Sequence, residues 1–177
     1  KEPVIFLKPD TALIPKRQPF FYPSFSNDVH YEAELVVRIN RVGKHIQEKF
    51  AHKYYSELSL GVDFTARDLQ AKLKEKGLPW EKAKAFDGSA PVGKFVNKAV
   101  FTDISQLDFS LNINNEVRQK GSTDNMLFSI DKLIAYISQY FTLKIGDLIF
   151  TGTPEGVGPI NKVDHLQGYI ADHKVLD

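Results

Sequence analysis

His30-Tyr31-Glu32-Ala33-Glu34-Leu35-Val36-Val37-Arg38-Ile39 is the stretch on which the fold turns. Read as a β-strand, it sends Tyr31, Ala33, Leu35, Val37 and Ile39 to one side, because successive side chains point to opposite faces. Glu32 and Glu34 share the other side. Their Cα atoms then lie about 6.5 Å apart, close enough for both carboxylates to reach one cation. An ordinary half-buried strand with a solvated acidic face shows the same alternation, so the pair alone names no site. A third acid changes the reading: Leu58, Leu60 and Val62 alternate into another strand that ends at Asp63.

Around these strands, 177 residues with 42% hydrophobic and 25% charged side chains describe a single catalytic-sized domain, 1–177, with length enough for a true core. Lys plus Arg number 23 against 22 for Asp plus Glu, a net charge of +1. That balance gives no electrostatic reason to expect nucleic acid or an anionic membrane as partner. The densest basic run, Lys72, Lys74 and Lys76, is interrupted by Glu75 and reads as a solvated helix face. With no cysteine, disulfides, thiolate zinc sites and cysteine nucleophiles are excluded, and a reducing compartment, the cytoplasm, is the expected location. No apolar run approaches a membrane span, and no signal-peptide pattern opens the chain.

Taken in order, the chain opens on a strand-like Pro3-Val4-Ile5-Phe6-Leu7. A segment punctuated by Pro9, Pro15, Pro19 and Pro23 follows, which forbids regular helix or central strand. Arg41 to Tyr55 reads as a turn and a short helix. Thr65 with Asp68 has the spacing of a capping box, and Gly77 before Pro79 stops the helix they begin. In that helix Leu69 and Leu73 face the core, while Arg67 and Gln70 share a different face near Asp63. Trp80 to Lys94 is loop-like. Phe109, Leu111 and Ile113 alternate into a hairpin whose tip, Asn114-Asn115, tolerates positive φ. A second helix runs from about Ser129 to Phe141, and Leu148-Ile149-Phe150 forms a strand before the Gly- and Pro-rich turn 151–159. Several strands with only two strong helices give an α+β fold, mainly β.

Glu32, Glu34 and Asp63 are an all-oxygen set. Such ligands suit hard cations, Mg²⁺ foremost with Mn²⁺ or Ca²⁺ as further possibilities, whereas zinc and copper prefer imidazole or thiolate. Three carboxylates on one dication leave a net charge of −1, so an anionic substrate needs cationic help. Lys84 and Arg67 are the nearest sources. As structural alternatives, Arg67 and Gln70 suit an exposed helix face, and Lys84 a surface ion pair with Asp87. The 151–159 turn lacks a P-loop pattern.

Four blocks, Glu32-Ala33-Glu34, Gly61-Val62-Asp63-Phe64-Thr65-Ala66-Arg67-Asp68-Leu69-Gln70, Ala83-Lys84-Ala85-Phe86-Asp87 and Gly152-Thr153-Pro154-Glu155-Gly156-Val157-Gly158, resemble the fumarylacetoacetate hydrolase family. The likeness is to its small single-module members of the acylpyruvate hydrolase and oxaloacetate decarboxylase type, and it runs in order through the whole chain. The resemblance implies a roll of mixed β-sheets, usually a homodimer. It implies Glu32, Glu34 and Asp63 as ligands of Mg²⁺ or Mn²⁺, with Lys84 as a catalytic residue beside the substrate oxygens. Arg67 and Gln70 would hold the distal part of the substrate, and Thr153 with the Gly152 backbone its carboxylate. Asn114-Asn115-Glu116 stands where the family more often has Asn-Gly-Glu, and Val163-Asp164-His165 replaces a usual Gly-Asp.

The implied activity is a divalent-metal-dependent hydrolase or decarboxylase acting on a C–C bond of a small 2-oxo acid, such as acylpyruvate, oxaloacetate or a fumarylacetoacetate-like compound. A 2-oxo carboxylate chelates a dication, and breaking the adjacent bond leaves an enolate that a Lewis acid stabilises. Hydrolysis also needs a base to activate water. The resemblance puts that base, a His and a Glu, on an N-terminal lid segment that would lie before Lys1, so the base is unknown here. His30 is a substitute by position, though a packed or supporting role suits it better. The alternatives are an isomerase of the 2-hydroxyhepta-2,4-diene-1,7-dioate type in aromatic catabolism and, in another class, a non-catalytic metal-stabilised β-domain.

Overall fold

The seam between two sheets organises the chain. In a computed structural model, which describes residues 2–15 and 18–177, the stretch from His30 to Ile39 is not one strand. It divides at Glu32 into β1 (Val29–Tyr31) and β2 (Ala33–Ile39), which lie in different sheets. After the short helix α1 (Glu48–Ala51), β3 (Tyr55–Val62) pairs antiparallel with β2, Ala33 opposite Val62. The next strand, β4 (Thr65–Ala66), pairs with β1, His30 opposite Thr65. Both chains therefore cross from one sheet to the other side by side, joined at the crossing by the Asp63 N–H donating to the Glu32 carbonyl at 2.8 Å.

Helices α2 (Arg67–Glu75) and α3 (Glu81–Lys84) follow, then β5 (Val96–Asn97), which extends the β2–β3 sheet at its edge. The hairpin β6 (Asp108–Ile113) and β7 (Glu116–Ser122) turns at Asn114 and Asn115 with φ of 54° and 68°, the left-handed pair that asparagine tolerates. Helix α4 (Ile130–Tyr140) begins where expected, the Ser129 hydroxyl accepting from the Lys132 N–H. The chain closes with β8 (Leu148–Phe150), β9 (Gly158–Pro159), β10 (Leu166–Ile170) and β11 (His173–Leu176). Among the described residues the sheets run β5-β3-β2-β8, β4-β1-β9 and β11-β10-β6-β7, every ladder antiparallel, with one isolated parallel bridge from Leu13 to Ala90. The fold is mainly β, as read from the sequence. No helix among the described residues is long and apolar enough to cross a membrane.

Three local readings change. Pro3–Leu7 is extended but joins no ladder: Pro3 lacks a donor and Val4 and Leu7 stay exposed. Thr65 is not an N-cap, because it is spent on the β1 ladder. The Asp68 carboxylate instead takes the Leu69 N–H and the Ser26 hydroxyl. The segment after Trp80 is not all loop, since α3 carries Lys84 on its last turn.

Two apolar clusters meet at the seam. The larger holds Leu35, Val37, Leu58, Leu60, Ile134 and Ile170; the smaller holds Val29, Tyr31, Val62, Phe64, Leu111 and Ile113. Ile134 is completely buried on α4. Ile134→Ala should cost about 2–5 kcal/mol in urea unfolding, as truncations of buried aliphatics do. A loss below about 1 kcal/mol would mean that α4 does not close the larger cluster.

Candidate active site

Antiparallel register brings the acids together. Extending the β2–β3 pairing by one residue beyond Ala33–Val62 sets Glu32 opposite Asp63, and Glu34 lies two residues on along β2. All three side chains are buried, with relative exposures of 8%, 6% and 1% for Glu32, Glu34 and Asp63. The solvated acidic face of an ordinary strand is therefore absent. One carboxylate oxygen from each lies within 4.8 Å of the others.

Cations surround this set. The Lys84 ammonium donates to Glu32 Oε2 and Asp63 Oδ2, both at 2.7 Å, from a side chain that is only 5% exposed. It is no surface lysine. Arg67 Nη2 donates to Glu32 Oε1 at 2.6 Å and Nη1 to Gln70 Oε1 at 2.8 Å, so these two residues form a linked pair at the edge of the cluster. Lys8 completes the ring: its Nζ makes an ion pair with Asp63 Oδ1 at 2.7 Å and donates to Ser89 and to the Lys84 carbonyl.

Electrostatics divides the acids. Burial pushes Glu32 up, but Lys84 and Arg67 more than undo this and hold it below the usual carboxylate range. Glu34 contacts none of the cations in an ion pair. Burial first, then the neighbouring Asp63, raises it to about 8, against the Gly152 N–H that donates to Glu34 Oε2 at 2.5 Å. Burial lowers Lys8, against the pull of Asp63. A buried carboxylate set with one member left uncompensated fits a bound cation. Oxygen-only donors at this separation could converge on a hard dication with small side-chain shifts.

The turn after β8 approaches the acids from the other side. Gly152 has φ of +98°, a conformation that glycine adopts without strain, and this aims its N–H at Glu34. The Thr153 hydroxyl donates to the Ala33 carbonyl and accepts from Gln119 Nε2, each at 2.9 Å.

Residues 1–176 match the fumarylacetoacetate (FAA) hydrolase C-terminal family. The chain belongs to that family. It is 47% identical over 167 residues to the oxaloacetate tautomerase YcgM of Escherichia coli, covering 94% of this chain and 76% of the relative. To the mitochondrial oxaloacetate tautomerase FAHD1 of Mus musculus it is 46% identical over 169 residues, covering 96% and 76%. Among solved structures, fumarylpyruvate hydrolase of Pseudomonas aeruginosa, in complex with Mn²⁺ and pyruvate, superposes with a TM-score of 0.90 at 36% identity, covering 97% of this chain and 75% of that one.

In this FAA hydrolase fold Glu34 and Asp63 line a cavity of about 1240 Å³. Glu34, Asp63, Lys8, Gly152 and Thr153 make its polar end, and Phe109, Phe128, Ile137 and Phe141 its apolar wall. His30 lies outside that lining, its Nε2 2.9 Å from Asp28 Oδ1. Two polar residues at the site had no sequence signal. Lys8 stands alone between apolar residues and a proline. Gln119 sits in β7, a strand otherwise mostly open to solvent.

The raised Glu34 has a measurable consequence for protein stripped of divalent cations. Its folded value of about 8 lies above its ordinary 4.5, so the stability it contributes is complete below 4.5 and is lost as pH rises toward 8. Between about pH 5 and 8 the wild type should therefore lose up to about 1.4 kcal/mol per pH unit relative to Glu34→Gln. Parallel stability–pH curves for the two proteins would show that Glu34 ionises freely.

Proposed function

We propose that the chain is a divalent-cation-dependent enzyme that interconverts the keto and enol forms of a small 2-oxo dicarboxylic acid such as oxaloacetate. The observation that carries this reading is the convergence of Glu32, Glu34 and Asp63 on one another with Lys84 bridging two of them. Mg²⁺ or Mn²⁺ held by these three would supply Lewis-acid polarisation of the substrate's keto oxygen. Lys84 pins one oxygen each of Glu32 and Asp63, which fixes where their remaining oxygens point. Its third N–H is left for a substrate oxygen on which negative charge develops.

Charge supports a substrate with two carboxylates. Three acids and the three bases Lys8, Lys84 and Arg67 cancel, so a site holding a dication carries +2 rather than the −1 expected from the acids alone. Keto–enol exchange moves a proton and breaks no carbon–carbon bond. It thus needs neither a water-activating base nor room for a leaving group, and it agrees with the names of the tautomerase relatives. Decarboxylation or C–C hydrolysis is the second reading, favoured by the structural similarity to fumarylpyruvate hydrolase; the bond broken would then be carbon–carbon and the enolate left behind that of pyruvate, with its charge on the same keto oxygen.

Ultraviolet absorbance of enol-oxaloacetate, followed together with pyruvate formation, separates the two. Loss of enol without pyruvate is the expected result, and stoichiometric pyruvate would favour the second reading. Chelator should abolish turnover, and either Mg²⁺ or Mn²⁺ should restore it. Glu34→Ala should eliminate activity with an unchanged circular dichroism spectrum; turnover with unaltered metal dependence would refute the ligand assignment. Lys84→Met should lower kcat by about 100-fold while shifting metal affinity far less. An unchanged kcat would remove Lys84 from the chemistry.

A further inference from the structure

Gln119 is almost completely buried, at 2% exposure, in a strand whose other residues are mostly open. Its amide is used at both ends. Oε1 accepts from the Ala33 N–H at 2.8 Å, and Nε2 donates to Thr153 Oγ1 at 2.9 Å and to the Pro154 carbonyl at 3.1 Å. The partners dictate this orientation: a backbone N–H can only donate and a carbonyl can only accept, so the amide cannot be reversed.

The same logic fixes Thr153. Its hydroxyl has one proton, and the Ala33 carbonyl at 2.9 Å takes it, which leaves the oxygen to accept from Gln119. The three bonds form a closed circuit: Ala33 N–H to Gln119, Gln119 to Thr153, Thr153 back to the Ala33 carbonyl. Ala33 is the residue between Glu32 and Glu34. A second contact presses the loop onto the same strand, since Gly156, at φ +96°, comes so close that a Cβ there would stand 2.5 Å from the Arg118 carbonyl.

We infer that Gln119 is a positioning residue that clamps the Gly152–Thr153 turn to Ala33, holding the Gly152 N–H on Glu34 and leaving the Thr153 hydroxyl no proton for a substrate carboxylate. The inference rests on the proposed 2-oxo acid chemistry for its ligand. The clamp itself is a property of the fold and can be read without turnover.

The test is a double-mutant cycle of Gln119→Glu and Thr153→Val. Gln119→Glu keeps the acceptor for Ala33 and removes both donors. Hydrogen exchange of the 151–155 amides should rise by about tenfold in each single variant, with exchange elsewhere unchanged. For oxaloacetate, KM should rise by about tenfold with kcat within about threefold, and the double variant should be no worse than either single one, because both break one link. Additive KM effects, with Thr153→Val much the larger, would show that the hydroxyl binds substrate directly and would overturn the inference. So would unchanged loop exchange, or a uniform rise in exchange across the whole chain. Exchange is measured on protein alone, so an inactive wild type would count against the proposed function while leaving this test intact.

Discussion

Three carboxylates buried side by side are the constraint to which the structure answers. Their mutual repulsion is strong in a low-dielectric interior, and no folded chain holds them there without compensation. The register of β2 against β3 creates the problem by placing Glu32 opposite Asp63 at the seam of two sheets. Lys84, Arg67 and Lys8 answer most of it, each from a different element. What they leave over is concentrated on Glu34, which among the described residues is relieved by one hydrogen bond, from the Gly152 N–H in the turn after β8. Burial therefore favours the protonated form of that acid, and a cation bound there would take the proton's place.

Much of this was legible in the sequence because period-two patterns specify register. Alternation marked the strands that carry the acids, and the asparagine pair marked the hairpin tip. The break at Glu32 was not legible. A strand that passes between sheets keeps its alternation, and nothing local signals that its hydrogen-bonding partner changes from β3 to β4. The Thr65 cap misled for a related reason: a threonine followed by an acid three residues on suits a helix start, but the ladder with His30 claimed the residue first.

The cations were harder to read than the acids, for a physical reason. Lys84 and Arg67 were reachable through the four blocks that resemble the family. Lys8 and Gln119 reach the site by tertiary contact from distant segments: Lys8 meets Asp63 across 55 positions of chain, and Gln119 meets Ala33 across 86. A single polar residue in an apolar or solvent-facing run has no periodicity of its own. Its role appears only once the fold shows which buried donors and acceptors it satisfies.

The resulting division of labour bears on how one architecture can serve several reactions. The acids stand on, or one residue beyond, paired strands, where a shift of a single position would turn their side chains to the opposite face. The groups that hold the acids from outside the strands, Lys8, Lys84 and the Gly152 N–H, come from an extended N-terminal segment, the last turn of a four-residue helix and a glycine-rich turn. Changes in these segments alter how the carboxylates are compensated while leaving their backbone positions in the ladders in place. On the proposed reading, stabilising charge on a keto oxygen would rest on the strands that carry the acids, and the outcome of the reaction on the segments around them.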